Sequence, residues 1–201
     1  IELYKILDLK NFVNLIESTY LKEIFSLIFP EFENLKRLER LVKICDYTQV
    51  SKELLLAVLL IDEKNNHEYF THKYNVSNNI KENLQMFVKN LILIKRNKDF
   101  FNKDLEKNIY FNDKNHLIHL NILNFTINEK LNFKDFSNTL KKILQSKKQK
   151  FPIDGKYLMD HGMKQGSQMG KVLKNIEKEW IKNNFKITED QMKKIIRLYS
   201  N

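Results

Sequence analysis

Residues 151–173, FPIDGKYLMDHGMKQGSQMGKVL, hold all four glycines of the chain, Gly155, Gly162, Gly166 and Gly170, together with Pro152. The 150 residues before this stretch contain no glycine and a single proline, Pro30. So little turn punctuation excludes sandwiches and barrels, whose hairpins need turn residues about every 8–12 positions. Helices joined by short polar connectors remain, and the glycine-rich stretch marks a place where helix formers alone do not suffice.

Downstream, Ser167–Asn184 reads as an amphipathic helix. At 100° per residue Met169, Val172, Leu173, Ile176 and Trp180 fall within about 100° of arc, a core-facing stripe. Lys171, Lys174, Lys178 and Lys182 fall within about 80° on the opposite side, a rail roughly 16 Å long at 1.5 Å rise per residue. Gly166-Ser167 opens this helix with free backbone N–H groups and a positive dipole, a seat for phosphate, with Lys164 just before it and Lys171 one turn in. Gly162 is placed to end the helix of KYLMD as a left-handed C′ residue. Gly170, inside the next helix, costs about 1 kcal/mol relative to alanine, which points to close approach of another backbone, protein or nucleic acid. Thr188 and Gln191 form a capping box for a last helix with Ile195, Ile196 and Tyr199 inward.

Upstream, QSKKQK (145–150) is a basic connector. Before it, hydrophobic periodicity and capping residues predict helices over Phe32–Asp46, from Ser51 to the polar run DEKNNH, over Asn78–Ile92 behind Ser77, and over Phe100–Tyr110, Asn115–Thr126 and Phe133–Leu144. Pro30 ends LKEIFSLIF. The expected fold is all-α: a multi-helix body followed by a small helical tail.

Net charge is +10, which points to a polyanionic partner. Twelve lysines face four carboxylates between Lys141 and Lys186, a net +8, although the chain's preference for Lys and Asn also matches an AT-rich genome. The runs LLLAVLLI (54–61) and LILI (91–94) are too short to cross a bilayer and no secretory leader opens the chain, so a cytoplasmic protein without membrane partners is expected. Cys45, the single cysteine, excludes an internal disulfide and reads as a buried inert thiol. The chain has no phosphate-binding G-x-x-x-x-G-K-[ST], no G-x-G-x-x-G, no H-E-x-x-H and no C-x-x-C. His116 and His119 lack a third ligand, His67 and His72 fall in a polar connector, and Asp62-Glu63 and Glu189-Asp190 lie at helix ends. No active site, metal site or cofactor site is expected in this chain. It opens at Ile1 inside an amphipathic phrase, as a piece of a longer polypeptide does.

The glycine-rich stretch, continued by Trp180-Ile181, Phe185 and Thr188, resembles the C-terminal signature of bacterial CCA tRNA nucleotidyltransferases and related poly(A) polymerases. That signature runs in outline P-[IL]-S-G-x-D-L-x-x-x-G-[IL]-x-P-G-P-x-[IVM]-G-x-[IVL]-L, then a W-I pair and F-x-L-T. It is matched at Pro152, Ile153, Gly155, Leu158, Gly162, Met163, Gly166, Met169, Gly170 and Leu173, and again at Trp180, Ile181, Phe185 and Thr188. Asp154 stands in place of its serine, Tyr157 of its aspartate, and Gln165 and Ser167 of its prolines. Weaker likeness extends to ELYKIL (2–7), LIESTYLKEIF (15–25) and YNVSNNIKENL (74–84).

The resemblance implies the end of a neck helix at 1–10, a helical body at 11–147 and a basic tail at 148–201. It implies a catalytic head before this chain, with a Gly-Ser motif, two metal-binding aspartates, Mg²⁺ and ATP or CTP, while this half holds the acceptor stem and elbow of tRNA. The residues expected to grip RNA are Lys156, Lys164, Gly166, Ser167, Lys171, Lys174, Lys178 and Lys182. Whether the parent adds CCA, A alone or poly(A) would be set in the head. A helical protein-interaction scaffold is the alternative. A helix-hairpin-helix DNA module ranks last, because its paired glycines sit two apart whereas Gly162 and Gly166 are four apart.

Overall fold

The structure, a computed structural model, describes residue 7, residues 17–47 and residues 50–199. The segment expected to end a neck helix, and the beginning of 15–25, lie almost wholly outside the described residues. Among those described, every regular element is helical, as the punctuation of the sequence requires. Helices α1 (Thr19–Ile28), α2 (Arg37–Val42), α3 (Lys52–Leu60), α4 (Asn66–Lys73) and α5 (Asn78–Arg96) come first, with a 3₁₀ turn over Cys45–Tyr47. They are followed by α6 (Leu105–Phe111), α7 (Lys114–Ile127), α8 (Phe133–Gln145), α9 (Gly155–Asp160), α10 (Ser167–Lys182) and α11 (Glu189–Arg197). The chain folds as two compact units, Ile1–Leu105 with Asn112–Gln145, and Glu106–Phe111 with Ser146–Asn201. The boundary at Ser146 coincides with the basic connector, and the second unit also takes Glu106–Phe111.

In the first unit α3 is apolar on every side, and Leu54 through Leu60 are all buried. The Ser51 hydroxyl caps its start, accepting from the Leu54 N–H at 3.1 Å. The polar run after it does not stay a connector as the sequence suggested. Residues 66–73 coil into α4 because His67, Phe70 and Thr71 recur at helical spacing and turn inward, leaving His67 3% exposed. The helix expected over Phe32–Asp46 is also shorter than read. Residues 34–39 wind by i to i+3 hydrogen bonds, Arg37 to Asn34 and Leu38 to Leu35 at 3.0 Å each, across the start of α2. Apolar spacing of three (Leu35, Leu38, Leu41) serves that tighter turn as well as an α-helix. The stretch expected to start a helix at Phe100 is held as turns by side-chain bonds, Asp99 N–H to Asn97 Oδ1 and Asn97 Nδ2 to Asp104 Oδ2, both 2.9 Å. Cys45 is half-buried rather than buried, its thiol donating to the Val42 carbonyl at 3.0 Å.

Asparagine explains how so many turns form without glycine. Asn65 and Asn75 both take left-handed backbone, with φ of 62° and 45°, a conformation asparagine tolerates better than other residues with a Cβ.

Three histidines pack in this unit. His116 lies flat on Phe87, with ring centroids 5.2 Å apart, and its Nε2 is 3.1 Å from the Asn90 amide nitrogen. Burial pushes His67, His116 and His119 below the ordinary imidazole value of 6.5, against the opposing pull of nearby carboxylates. Glu31, 4% exposed, accepts from Lys73 Nζ at 2.6 Å and from the Tyr74 hydroxyl at 3.2 Å. Burial alone would raise its carboxyl, but those bonds outweigh burial and hold it below the usual 4.5.

The unfolded chain therefore takes up protons at the histidines first as pH falls. Their contribution to stability is full above about pH 6.5 and is lost below it, and that of Glu31 follows below about 4.5. Urea midpoints followed by far-UV circular dichroism should decline from pH 7.5 to 5.5. Replacing His67 and His116 with glutamine should flatten that decline.

Candidate nucleic-acid interface

The second unit is built on two apolar clusters. In one, Leu158 and Met163 pack with Val172 and Ile176 of α10 and with Met192 and Ile196 of α11, flanked by Ile153, Tyr157 and Met169. The other is aromatic. Trp180 meets Phe185 at 4.9 Å, Phe151 at 5.4 Å and Tyr110 at 5.5 Å between ring centroids. The Tyr110 hydroxyl donates to Glu177 Oε1, and burial followed by that carboxylate pushes the phenol up to about 12. This contact spans 67 residues of sequence, and no local signal in the sequence announces it.

Apart from the N-terminus of α10, the helix ends described next are closed by short side chains or by the backbone itself. Asp154 caps α9, accepting from the Tyr157 N–H at 2.9 Å, and Thr188 and Gln191 form the expected capping box of α11. Gly162 has φ +87° and ends α9 as read from the sequence. Its own N–H reaches the Met159 carbonyl and the Met163 N–H the Leu158 carbonyl, both at 3.0 Å. The end of α10 repeats this arrangement with Asn184 (φ 54°) in the glycine's place, Phe185 N–H bonding the Trp180 carbonyl at 2.8 Å.

The remaining glycines serve other ends. A Cβ on Gly155 would stand 3.1 Å from the Met169 sulfur, so this residue lets α9 start against α10. Gly166 has extended backbone open to any residue, and the space around it and around Gly170 is empty within 4 Å. Gly170 is solvent-exposed, and among the described residues nothing packs where its side chain would be.

The expected rail is present. Val172, Ile176 and Trp180 are buried, while Lys171, Lys174, Lys178 and Lys182 of the same helix are exposed. Lys182 leans on Glu179 at 3.6 Å. Lys171, Lys174 and Lys178 have no carboxylate partner among the described residues. At the N-terminal end, Gly166, Ser167 and Lys164 are exposed, no side chain caps the first turn, and the first turn holds no acidic residue. An N-terminus left this way has N–H groups and a positive dipole to offer an anion. Lys156 is exposed on α9 and belongs to a different helix from the rail. Exposed ammonium groups in a row carry the charge to meet phosphates and no geometry to tell one base edge from another. Among the described residues no three His, Cys, Asp or Glu side chains gather to hold a metal ion. No helix among them is long and apolar enough to cross a membrane.

Comparison with protein-family models, with curated proteins and with solved structures finds no match to this chain.

The glycines separate under mutation. Gly162→Ala, forced into left-handed backbone, should cost about 1–2 kcal/mol in thermal or urea unfolding followed by Trp180 fluorescence. Gly170→Ala should stabilise the same transition by up to about 1 kcal/mol, because open solvent awaits the methyl group.

Proposed function

We propose that this chain is the RNA-holding C-terminal portion of a cytoplasmic tRNA nucleotidyltransferase, of the CCA-adding or poly(A)-polymerase-like kind. In this reading a head elsewhere in the polypeptide carries the Mg²⁺-dependent chemistry with ATP or CTP. The second unit's lysines and the open N-terminus of α10 lie along the acceptor stem and elbow of tRNA and hold its 3′ end for that head. A-form RNA hides its base edges from side chains, so a grip of this kind works through phosphates and shape.

The observation that carries the reading is the coincidence of motif and surface. The segment whose spacing resembles the family signature builds one core, and the lysines of that segment's main helix all face outward from it. Two details add support. Asp154, standing where the signature has serine, keeps an N-cap oxygen at the start of α9. Gly170, which the signature also has, is left bare by the rest of the chain, as a close approach by RNA requires.

The test uses the whole 201-residue chain. Binding to tRNA should be tighter than to a random RNA duplex or to heparin. Changing Lys171, Lys174, Lys178 and Lys182 together to alanine should reduce the slope of log affinity against log salt by about 3. An unchanged slope removes the rail from the interface, and equal affinity for heparin favours the protein-interaction scaffold instead.

A further inference from the structure

In the first unit, a cleft of about 430 Å³ is lined by Arg40, Lys43, Tyr47, Asn132 and Phe133, with no Asp or Glu among the described residues that line it. Tyr47 and Phe133 are 61% and 42% exposed and stand 5.1 Å apart at 57°. They are not loose. Phe133 rests on buried Phe136 at 6.2 Å, Phe136 on Phe125 at 5.2 Å, and the Arg40 guanidinium covers Phe125 at 4.2 Å.

Arg40 donates to the carbonyls of Phe125, Asn128 and Leu131 at 2.9, 3.2 and 2.7 Å. All three acceptors are neutral, so its positive charge is not cancelled, and exposed Lys43 beside it has no carboxylate partner among the described residues. The Asn132 Oδ1 accepts from the Asp135 N–H at 3.0 Å, which leaves its amide NH₂ to donate elsewhere. By contrast, the larger cavity of this unit, about 690 Å³, includes Asp62 and Glu63 and offers no such field.

Exposed, mutually packed rings beside two uncancelled cations suit a ligand that is planar at one end and anionic at the other. A bare anion would leave the rings unused, and a purely apolar ligand would strip water from the cations with nothing in return. We infer that this cleft binds one nucleotide of an unpaired nucleic-acid strand, its base against Tyr47 and Phe133, its phosphate at Lys43 and Arg40. Asn132 donates to an acceptor on the base edge. One phosphodiester charge suits the cleft better than a triphosphate, for which it has neither enough cations nor a cradle of backbone N–H groups. The inference rests on the first unit alone and is independent of the lysine rail.

The test takes the full chain already carrying alanine at Lys171, Lys174, Lys178 and Lys182, so that the rail contributes nothing, and titrates it with hexa-adenylate RNA, AMP and inorganic phosphate. Tyr47→Ala should weaken hexa-adenylate binding about 5-fold or more, with an unchanged circular dichroism spectrum, and Tyr47→Phe should restore it. Lys43→Ala should lower the salt slope by about 0.7. Tighter binding of hexa-adenylate than of AMP identifies a strand as the source, and equal binding a free nucleotide, both being base-plus-phosphate recognition. The inference is overturned if neither nucleotide ligand binds, if Tyr47→Ala binds as well as its parent, or if inorganic phosphate competes as effectively as AMP.

Discussion

A helix buried on every side has its last carbonyls out of reach of water, and the first unit is arranged around that constraint. Helix α3 ends among apolar residues, yet its carbonyls are met. Arg37 donates through one guanidinium nitrogen to Val58 at 3.0 Å and Ile61 at 2.6 Å, and Asn34 donates to Leu59 at 3.1 Å. Three residues on, Arg40 does the same for the end of α7 and the turn after it. The short helix α2 thus drives Leu38 and Leu41 into the core while its two arginines serve the ends of two other helices. Burial depresses Arg37, against the pull of Asp62, but a guanidinium remains charged through such a shift. At Arg40, whose Nε and Nη2 reach three carbonyls, a lysine would bring a single ammonium in place of a planar fork.

The chain has only four arginines, and two of them serve helix ends in this way. The second unit closes its helices by other means, with Asp154, Thr188 and Gln191 at N-termini and left-handed Gly162 and Asn184 at C-termini. Neither kind of cap needs a cation. Lys171, Lys174 and Lys178 can therefore all point to solvent while the same helix keeps its buried stripe. Two arginines thus serve helix ends within the first unit, while the lysines along α10 of the second stay exposed.

Legibility followed the range of the forces involved. Helices α3, α5, α7, α8, α10 and α11 were visible because burial of one face repeats every three to four residues, and the rail was visible as the other side of the same pattern. Where a side chain bonds across the fold or back on its own turn, the pattern misled. The inward asparagine and arginine around residues 34–37 shortened one helix, and the Asn97–Asp104 bond delayed another. His67 looked like part of a connector because a single imidazole among polar neighbours carries no periodic mark, although Phe70 three residues later shares its face. Gly162 could be placed from local spacing, whereas the bareness of Gly170 could not, since emptiness is a property of everything that might have packed there. The partners of Tyr110 and of Tyr47 come from distant parts of the chain and were not legible at all.

The segment Glu106–Phe111 has a consequence for how the polypeptide is made. The chain visits the first unit, leaves six residues in the second, returns to finish the first, and only then completes the second. On the ribosome, Tyr110 emerges with only its neighbour Phe111 for a ring partner and must wait through the synthesis of α7 and α8 for Trp180 and Phe185. Neither unit is therefore a contiguous cassette. Cleavage of the chain at Ser146 would divide a folding unit rather than separate two, stranding one wall of the tryptophan's pocket on the wrong side of the cut.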